Sequence, residues 1–126
     1  TYYDDSKSTT PHATVAALRG FDSAVLIAGG RNKGIDLGDL SEAGERIHAV
    51  VAIGDAAPEI EAVFAATHPV VAADSMEEAV DRARALAVGG RPVLLSPACA
   101  SFDWYGNYGE RGDDFARIVR AREGGR

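Results

Sequence analysis

Four continuous apolar segments constrain the fold of this chain more than any other feature of its sequence. They span residues 24–28, 49–53, 70–72 and 92–95, and three of the four run directly into glycine or serine. Continuous apolar runs of this length are typical of parallel strands that are covered on both faces. The sequence therefore predicts four such strands, and Tyr2 and Tyr3 fit the end of a further one.

Helical patterns lie between the predicted strands. Pro11 suits the first turn of a helix that Thr9 or Thr10 would cap, and Ser75 opens a capping box with Glu78. Two more segments carry apolar side chains at helical spacing. The predicted helices cover residues 11–19, 57–66, 76–87 and 110–122, and residues 37–46 are compatible with a short helix.

This alternation predicts an α/β fold, namely a Rossmann-like three-layer domain with a mainly parallel sheet flanked by helices. A chain of 126 residues has the length of one domain, covering residues 1–126, and can bury a core without disulfides or metals. Ligands of such sheets bind beyond the carboxyl ends of the strands. Functional residues are therefore expected in the segments that follow the strands, at residues 5–10, 29–34, 54–55 and 96–108.

Composition argues against several functions. The formal net charge of −6 disfavours binding of nucleic acid or an anionic membrane by the domain as a whole. A single cysteine cannot form an intrachain disulfide, which fits a reducing compartment, and no signal peptide or membrane-spanning segment is recognisable. We expect a cytoplasmic protein. Because Thr1 leads straight into a charged motif without an initiator methionine, we also expect a fragment of a longer chain.

Residues 4–10 combine two carboxylates, one cation and four hydroxyls immediately before a predicted helix. The N-terminus of a helix favours an anion, and Lys7 adds a charge that suits phosphate or carboxylate. The alternative interpretation is a charged loop with an elaborate helix cap. Local chemistry leaves both interpretations open.

Residues 29–34 follow a predicted buried strand and contain three glycines together with Arg31 and Lys33. Glycines let a backbone approach a ligand closely, and the two cations would neutralise an anion. The full pattern of a phosphate-binding P-loop is absent. A solvated turn whose glycines serve the backbone alone explains the segment equally well.

Residues 96–103 are mostly small and would leave the hydroxyls of Ser96 and Ser101 free to donate hydrogen bonds. Cys99 invites interpretation as a nucleophile, but none of the three histidines lies near it in sequence, and a buried free cysteine usually behaves as a small apolar residue. The histidines show no metal-ligand spacing, so no metal site is predicted. The aromatic residues that follow fit a lid packed on the last helix.

Three segments, taken in order, resemble the C-terminal domain of the Mur ligases. They are Asp-Ser-Lys-Ser-Thr at residues 5–9, Gly-Gly-Arg-Asn-Lys at residues 29–33, and Leu-Ser-Pro-Ala-Cys-Ala-Ser-Phe-Asp at residues 95–103 with Asn107, Tyr108, Arg111 and Gly112 beyond. The Ser-Pro-Ala-Cys-Ala-Ser run is the most specific, and the three segments extend through nearly the whole chain. Within the family, the resemblance is to the branch that adds D-glutamate.

The resemblance implies an enzyme of three domains, in which the N-terminal domain holds a UDP-sugar, the central domain holds ATP and this domain brings D-glutamate. ATP would phosphorylate the carboxylate of UDP-N-acetylmuramoyl-L-alanine, and the amine of D-glutamate would attack the acyl phosphate. ATP and Mg²⁺ would be bound mainly by the central domain. The chain by itself would then be inactive.

The resemblance also implies roles for individual residues. Thr9 and Lys33 would hold the α-carboxylate of D-glutamate, and Ser101 with the main chain around Tyr108 would hold its side-chain carboxylate. Asp5 and Lys7 would face the ribose and phosphates of ATP, and no catalytic residue is implied in this domain.

Two residues depart mildly from the family pattern, since Ser8 stands where alanine is more usual and Tyr108 where phenylalanine is more usual. Two rival interpretations remain at this point. One is a free-standing α/β binding module for a small dicarboxylate or nucleotide, and the other is a stand-alone α/β enzyme that uses Cys99.

Overall fold

A computed structural model describes residues 1–31, 34, 36–101 and 104–124. Its strands are β1 (Tyr2–Asp4), β2 (Ala24–Gly29), β3 (Ile47–Ile53), β4 (Val70–Ala73) and β5 (Val93–Ala98). They form one sheet in the order β1-β5-β2-β3-β4, and every neighbouring pair is parallel. The carboxyl ends of all five strands therefore lie along the same edge of the sheet.

Helices α1 (Pro11–Leu18), α2 (Ala57–Phe64), α3 (Met76–Leu86) and α4 (Tyr108–Gly124) connect or follow these strands. The ambiguous segment Leu37–Arg46 is a 3₁₀ helix. The predicted helices are thus confirmed, but α4 begins two residues earlier than expected. Its first turn is capped twice, since Asn107 Oδ1 accepts from the Glu110 N–H and Glu110 Oε1 accepts from the Gly106 N–H, both at 2.8 Å.

The sheet lies between two helical layers, which confirms the predicted three-layer fold. All six residues of β2 are buried, and alternate residues point to opposite faces. Leu26 packs in a cluster with residues of α1, α2 and the 3₁₀ helix, whereas Ile27 packs in a second cluster with residues of α3 and α4. Two covered faces explain why the strands read as continuous apolar runs rather than as alternating ones.

Thr10, and not Thr9, caps α1. Its Oγ1 accepts a hydrogen bond from the Ala13 N–H at 3.3 Å. At α3, Ser75 Oγ accepts from the Glu78 N–H at 3.1 Å, as the capping box predicted. The two neighbouring threonines therefore differ, because Thr10 caps α1 and Thr9 does not.

The order of the strands brings three connections together. β5 lies between β1 and β2, so the segments that follow β1, β5 and β2 are neighbours at the carboxyl edge of the sheet. Over the ranges described above, no helix has the length and apolar character needed to cross a membrane.

Candidate functional site

The segments after β1, β5 and β2 form one continuous rim. The Ala98 N–H donates to the Ser8 carbonyl at 3.0 Å, which joins the first segment to the end of β5. Arg31 and Ala100 exchange two backbone hydrogen bonds of 2.8 and 3.1 Å, which join the segments after β2 and β5. These three segments, which we call the rim (residues 5–10, 30–31 and 99–101), contain most of the predicted ligand-binding residues.

Two glycines make this close approach possible. Gly29 and Gly30 have φ angles of +132° and +130°, which residues with a side chain rarely adopt. A Cβ atom on Gly30 would lie 2.4 Å from the Ala100 carbonyl oxygen, and one on Gly29 would lie 2.1 Å from that of Ile53. The glycine pair therefore serves the backbone of the rim.

Asp5 organises the first segment of the rim. Its Oδ2 accepts a hydrogen bond of 2.7 Å from Ser96 Oγ and another from the Ser8 hydroxyl. Ser96 is fully buried, and its hydroxyl also lies 3.0 Å from Thr14 Oγ1. The expectation that the Ser96 hydroxyl is free for a ligand is therefore wrong, because the backbone of β5 turns that side chain inward against Asp5.

The predicted site residues differ in exposure. Lys7 is exposed, Thr9 and Asp5 are half-buried, and the Tyr108 residue is 53% exposed. Ser101 is only 2% exposed, and its carbonyl oxygen accepts from the N–H groups of Trp104 and Tyr105 at 3.1 and 2.8 Å.

The rim thus brings the segment of Asp5, Lys7 and Thr9 together with that of Ser101. Tyr108 is joined to the first of these segments, because its carbonyl accepts a hydrogen bond from Ser6 Oγ. Lys33 lies outside the described residues.

Arg111 belongs to the pattern that carries the family resemblance, but no role in the site was predicted for it from the sequence. It is 1% exposed, and its guanidinium donates through Nε to Ser6 Oγ at 2.8 Å, through Nη2 to the Ser6 carbonyl at 2.8 Å and through Nη1 to the Cys99 carbonyl at 3.0 Å. Ser6 Oγ in turn donates to the Tyr108 carbonyl at 2.8 Å. A signal existed in the sequence, because Arg111 precedes the apolar Phe115 and Ile118 by four and seven residues and so shares their buried face.

A second polar cluster joins α4 to the turn that precedes it. The Tyr105 hydroxyl donates to Asp114 Oδ2, and Arg117 donates to Asp114 Oδ1 at 3.0 and 2.7 Å. Burial and the Asp114 carboxylate raise the pKa of Tyr105 above its ordinary value. Burial also works to raise the pKa of Asp114, but the hydrogen bonds from Tyr105 and Arg117 outweigh it and leave that pKa below its ordinary value.

Cys99 is buried in the apolar cluster on the α1 side of the sheet, and its carbonyl accepts from Arg111. This environment supports the interpretation as a small apolar residue. Within the part of the chain that the structure describes, no group of three or more histidine, cysteine, aspartate or glutamate side chains is placed to hold a metal ion.

Two cavities open beside the rim. One has a volume of about 510 Å³ and lies at the carboxyl ends of β2 and β3, with Arg31 and Gly34 in its wall. The other has a volume of about 190 Å³ and lies between the first segment of the rim and the start of α4, with Lys7 and Tyr108 in its wall. Each wall combines one cation with two carboxylates, which are Asp55 and Glu59 in the larger cavity and Asp4 and Asp113 in the smaller one.

The fold and the rim define an α/β domain in which three polar segments meet at the carboxyl edge of a parallel sheet. The same fold occurs in UDP-N-acetylmuramate-alanine ligase of Thermotoga maritima, with a TM-score of 0.53 and 13% sequence identity over 90% of this chain and 25% of that one. At this identity the likeness concerns the fold alone.

The chain belongs to the Mur ligase family, since the family described as "Mur ligase, glutamate ligase domain" matches residues 1–99. Its relatives include several proteins with the name UDP-N-acetylmuramoylalanine–D-glutamate ligase. That of Frankia casuarinae is 50% identical over 98% of this chain, that of Syntrophotalea carbinolica is 42% identical over 98%, and that of Nitrosococcus oceani is 47% identical over 94%. The chain spans only 27–28% of the length of these relatives.

Proposed function

We propose that this chain is the amino-acid-binding domain of a cytoplasmic, ATP-dependent ligase that joins D-glutamate to UDP-N-acetylmuramoyl-L-alanine during synthesis of peptidoglycan precursors. The names of its relatives support the reaction, and the family match supports the domain. The observation that carries the proposal is the rim, which joins the segments of Asp5, Lys7, Thr9 and Ser101 at one edge of the sheet.

The domain contributes position rather than acid–base chemistry. Lys33 and Thr9 hold the α-carboxylate of D-glutamate, while Ser101 and the main chain around Tyr108 hold the other carboxylate. Two anchored carboxylates fix the amine between them, and holding the amine against an activated carboxyl group makes their reaction effectively unimolecular.

Lys7 and Asp5 have different roles on the side of the rim that faces the nucleotide. The exposed ammonium of Lys7 suits a phosphate, whereas Asp5 Oδ2 is engaged by Ser8 and Ser96 and orders the segment that carries Lys7. ATP, when bound, activates the acceptor carboxylate as an acyl phosphate. We assign Mg²⁺ mainly to the central domain of the complete ligase, as the resemblance to the family implies.

The first test is Lys33→Ala in the complete ligase. We expect the KM for D-glutamate to rise about 10- to 100-fold, because a hydrogen bond to a charged group typically contributes about 1.5–3 kcal/mol. The KM for UDP-N-acetylmuramoyl-L-alanine should stay unchanged, since that substrate binds to other domains. Steady-state release of phosphate measures both constants, and an unaltered KM for D-glutamate would remove Lys33 from the site.

A further inference from the structure

We propose that Arg111 is a positioning residue for D-glutamate, which sets the relative placement of the two rim segments that carry its ligands. The inference rests on the proposed function and deepens it, because Arg111 is not among the residues expected to touch the amino acid. It concerns a side chain that is almost fully buried and that reaches both segments at once.

The guanidinium uses all three of its nitrogens across the rim. Nε and Nη2 donate to the hydroxyl and carbonyl of Ser6, in the middle of the segment that carries Asp5, Lys7 and Thr9. Nη1 donates to the carbonyl of Cys99, two residues before Ser101. A planar fork of donors fixes the distance between two backbones in a way that a single ammonium cannot.

Ser6 extends this connection to the third ligand-bearing position. Its Oγ accepts from Arg111 Nε and donates to the carbonyl of Tyr108, both at 2.8 Å. The carbonyl of Tyr108 belongs to the main chain proposed to hold the side-chain carboxylate of D-glutamate. One hydroxyl therefore links the guanidinium to the start of α4, and a change at Arg111 or Ser6 displaces ligands of both carboxylates.

Close packing leaves little room for another side chain at this place. A Cβ atom on Gly30 would lie 3.2 Å from Arg111 Nη1, and a Cβ atom on Gly112 would lie 2.6 Å from Asp4 Oδ2. Asp4 Oδ1 accepts from the Ser6 N–H at 2.9 Å, so the segment that receives Arg111 is held on its other side as well. The surroundings of the guanidinium therefore leave the Arg111 side chain little room to move.

The test compares Arg111→Lys and Ser6→Ala with Arg117→Lys in the complete ligase. Arg117 lies on the same helix, but its side chain is 62% exposed and pairs with Asp114. We expect Arg111→Lys to raise the KM for D-glutamate about tenfold or more and Ser6→Ala to raise it by a smaller factor. The KM for UDP-N-acetylmuramoyl-L-alanine should change by less than about twofold in both, and Arg117→Lys should leave all constants unchanged.

The split between the two KM values separates positioning from general stabilisation. Thermal unfolding of each variant shows whether it folds. If Arg111→Lys does not fold, the test depends on Ser6→Ala alone. A lower melting temperature with an unchanged KM for D-glutamate in Ser6→Ala would overturn the proposal for Arg111. If the unaltered ligase releases no phosphate in response to D-glutamate, the proposed function itself fails, which is a different result.

Discussion

At the scale of the residue, some polar side chains of the rim hold the backbone in place, and another is proposed to bind the ligand. Of the four hydroxyls in the segment after β1, Ser6 binds Arg111 and Tyr108, Ser8 binds Asp5, and Thr10 caps α1. Thr9 is the remaining one, and it is the hydroxyl for which we propose contact with D-glutamate. Among the described residues, every buried side-chain nitrogen or oxygen has a hydrogen-bond partner, which is expected of a polar network that must hold its shape.

Cys99 tests the rival interpretation of a stand-alone enzyme. We predict that Cys99→Ala in the complete ligase retains most of its activity, because the side chain is buried and serves as a small apolar residue. Loss of one buried sulfur should lower the free energy of unfolding by about 1 kcal/mol. Steady-state kinetics and urea unfolding measure the two effects. Complete inactivation of a variant that folds normally would restore Cys99 as a nucleophile.

At the scale of the element, α4 is both a wall of the core and a support of the rim. Phe115 and Ile118 pack against the sheet, Arg111 reaches the rim from the same face, and Asp114 fastens the preceding turn through Tyr105. The helix therefore links the apolar core to the segment that carries Ser101. Its start is determined by Asn107, which caps the first turn from the preceding loop, and by Glu110 within that turn, whose carboxylate accepts from the Gly106 N–H.

The Asp114 carboxylate predicts how stability depends on pH. Because its pKa is lower in the folded chain than its ordinary value, its ionised form stabilises the fold. That contribution is fully present above the ordinary carboxyl pKa of about 3.9 and is lost as pH falls through the lower folded value. Asp114→Asn should therefore lose less stability on acidification from about pH 5 than the unaltered chain.

The control for this prediction is Asp113→Asn, which changes the neighbouring exposed carboxylate. Urea unfolding at a series of pH values gives the free energy of unfolding for each variant. If Asp114→Asn and the unaltered chain have parallel profiles in acid, the carboxylate does not stabilise the fold in the way described.

The elements also show how much of the fold could be predicted from the sequence alone. The central strands β2, β3 and β5 could be predicted because they are buried on both faces, and helices α1 and α3 because Pro11 and Ser75 mark their starts. The position of β5 between β1 and β2 had no local signal, since it depends on packing between segments distant in the chain. The partners of Ser96 and Arg111 could not be predicted for the same reason, because they exist only once those strands are neighbours.

At the scale of the whole molecule, one sheet with three adjacent strand ends gives a single place where distant segments meet. The family match covers residues 1–99 of the chain, whose length is about a quarter of that of the named relatives. A complete ligase would close the rim over the activated carboxyl group, which excludes water from an intermediate that water would destroy. The domain would then act by presenting D-glutamate in one orientation.

The most direct test of this account is the KM for D-glutamate in the complete ligase with Thr9→Ala, compared with Thr10→Ala. The two threonines are neighbours, but only Thr10 caps α1. We predict that Thr9→Ala raises this KM about tenfold or more, while Thr10→Ala lowers stability by about 1 kcal/mol and leaves the KM unchanged. An unchanged KM in Thr9→Ala, with D-glutamate still required for phosphate release, would contradict the claim that the rim binds the amino acid.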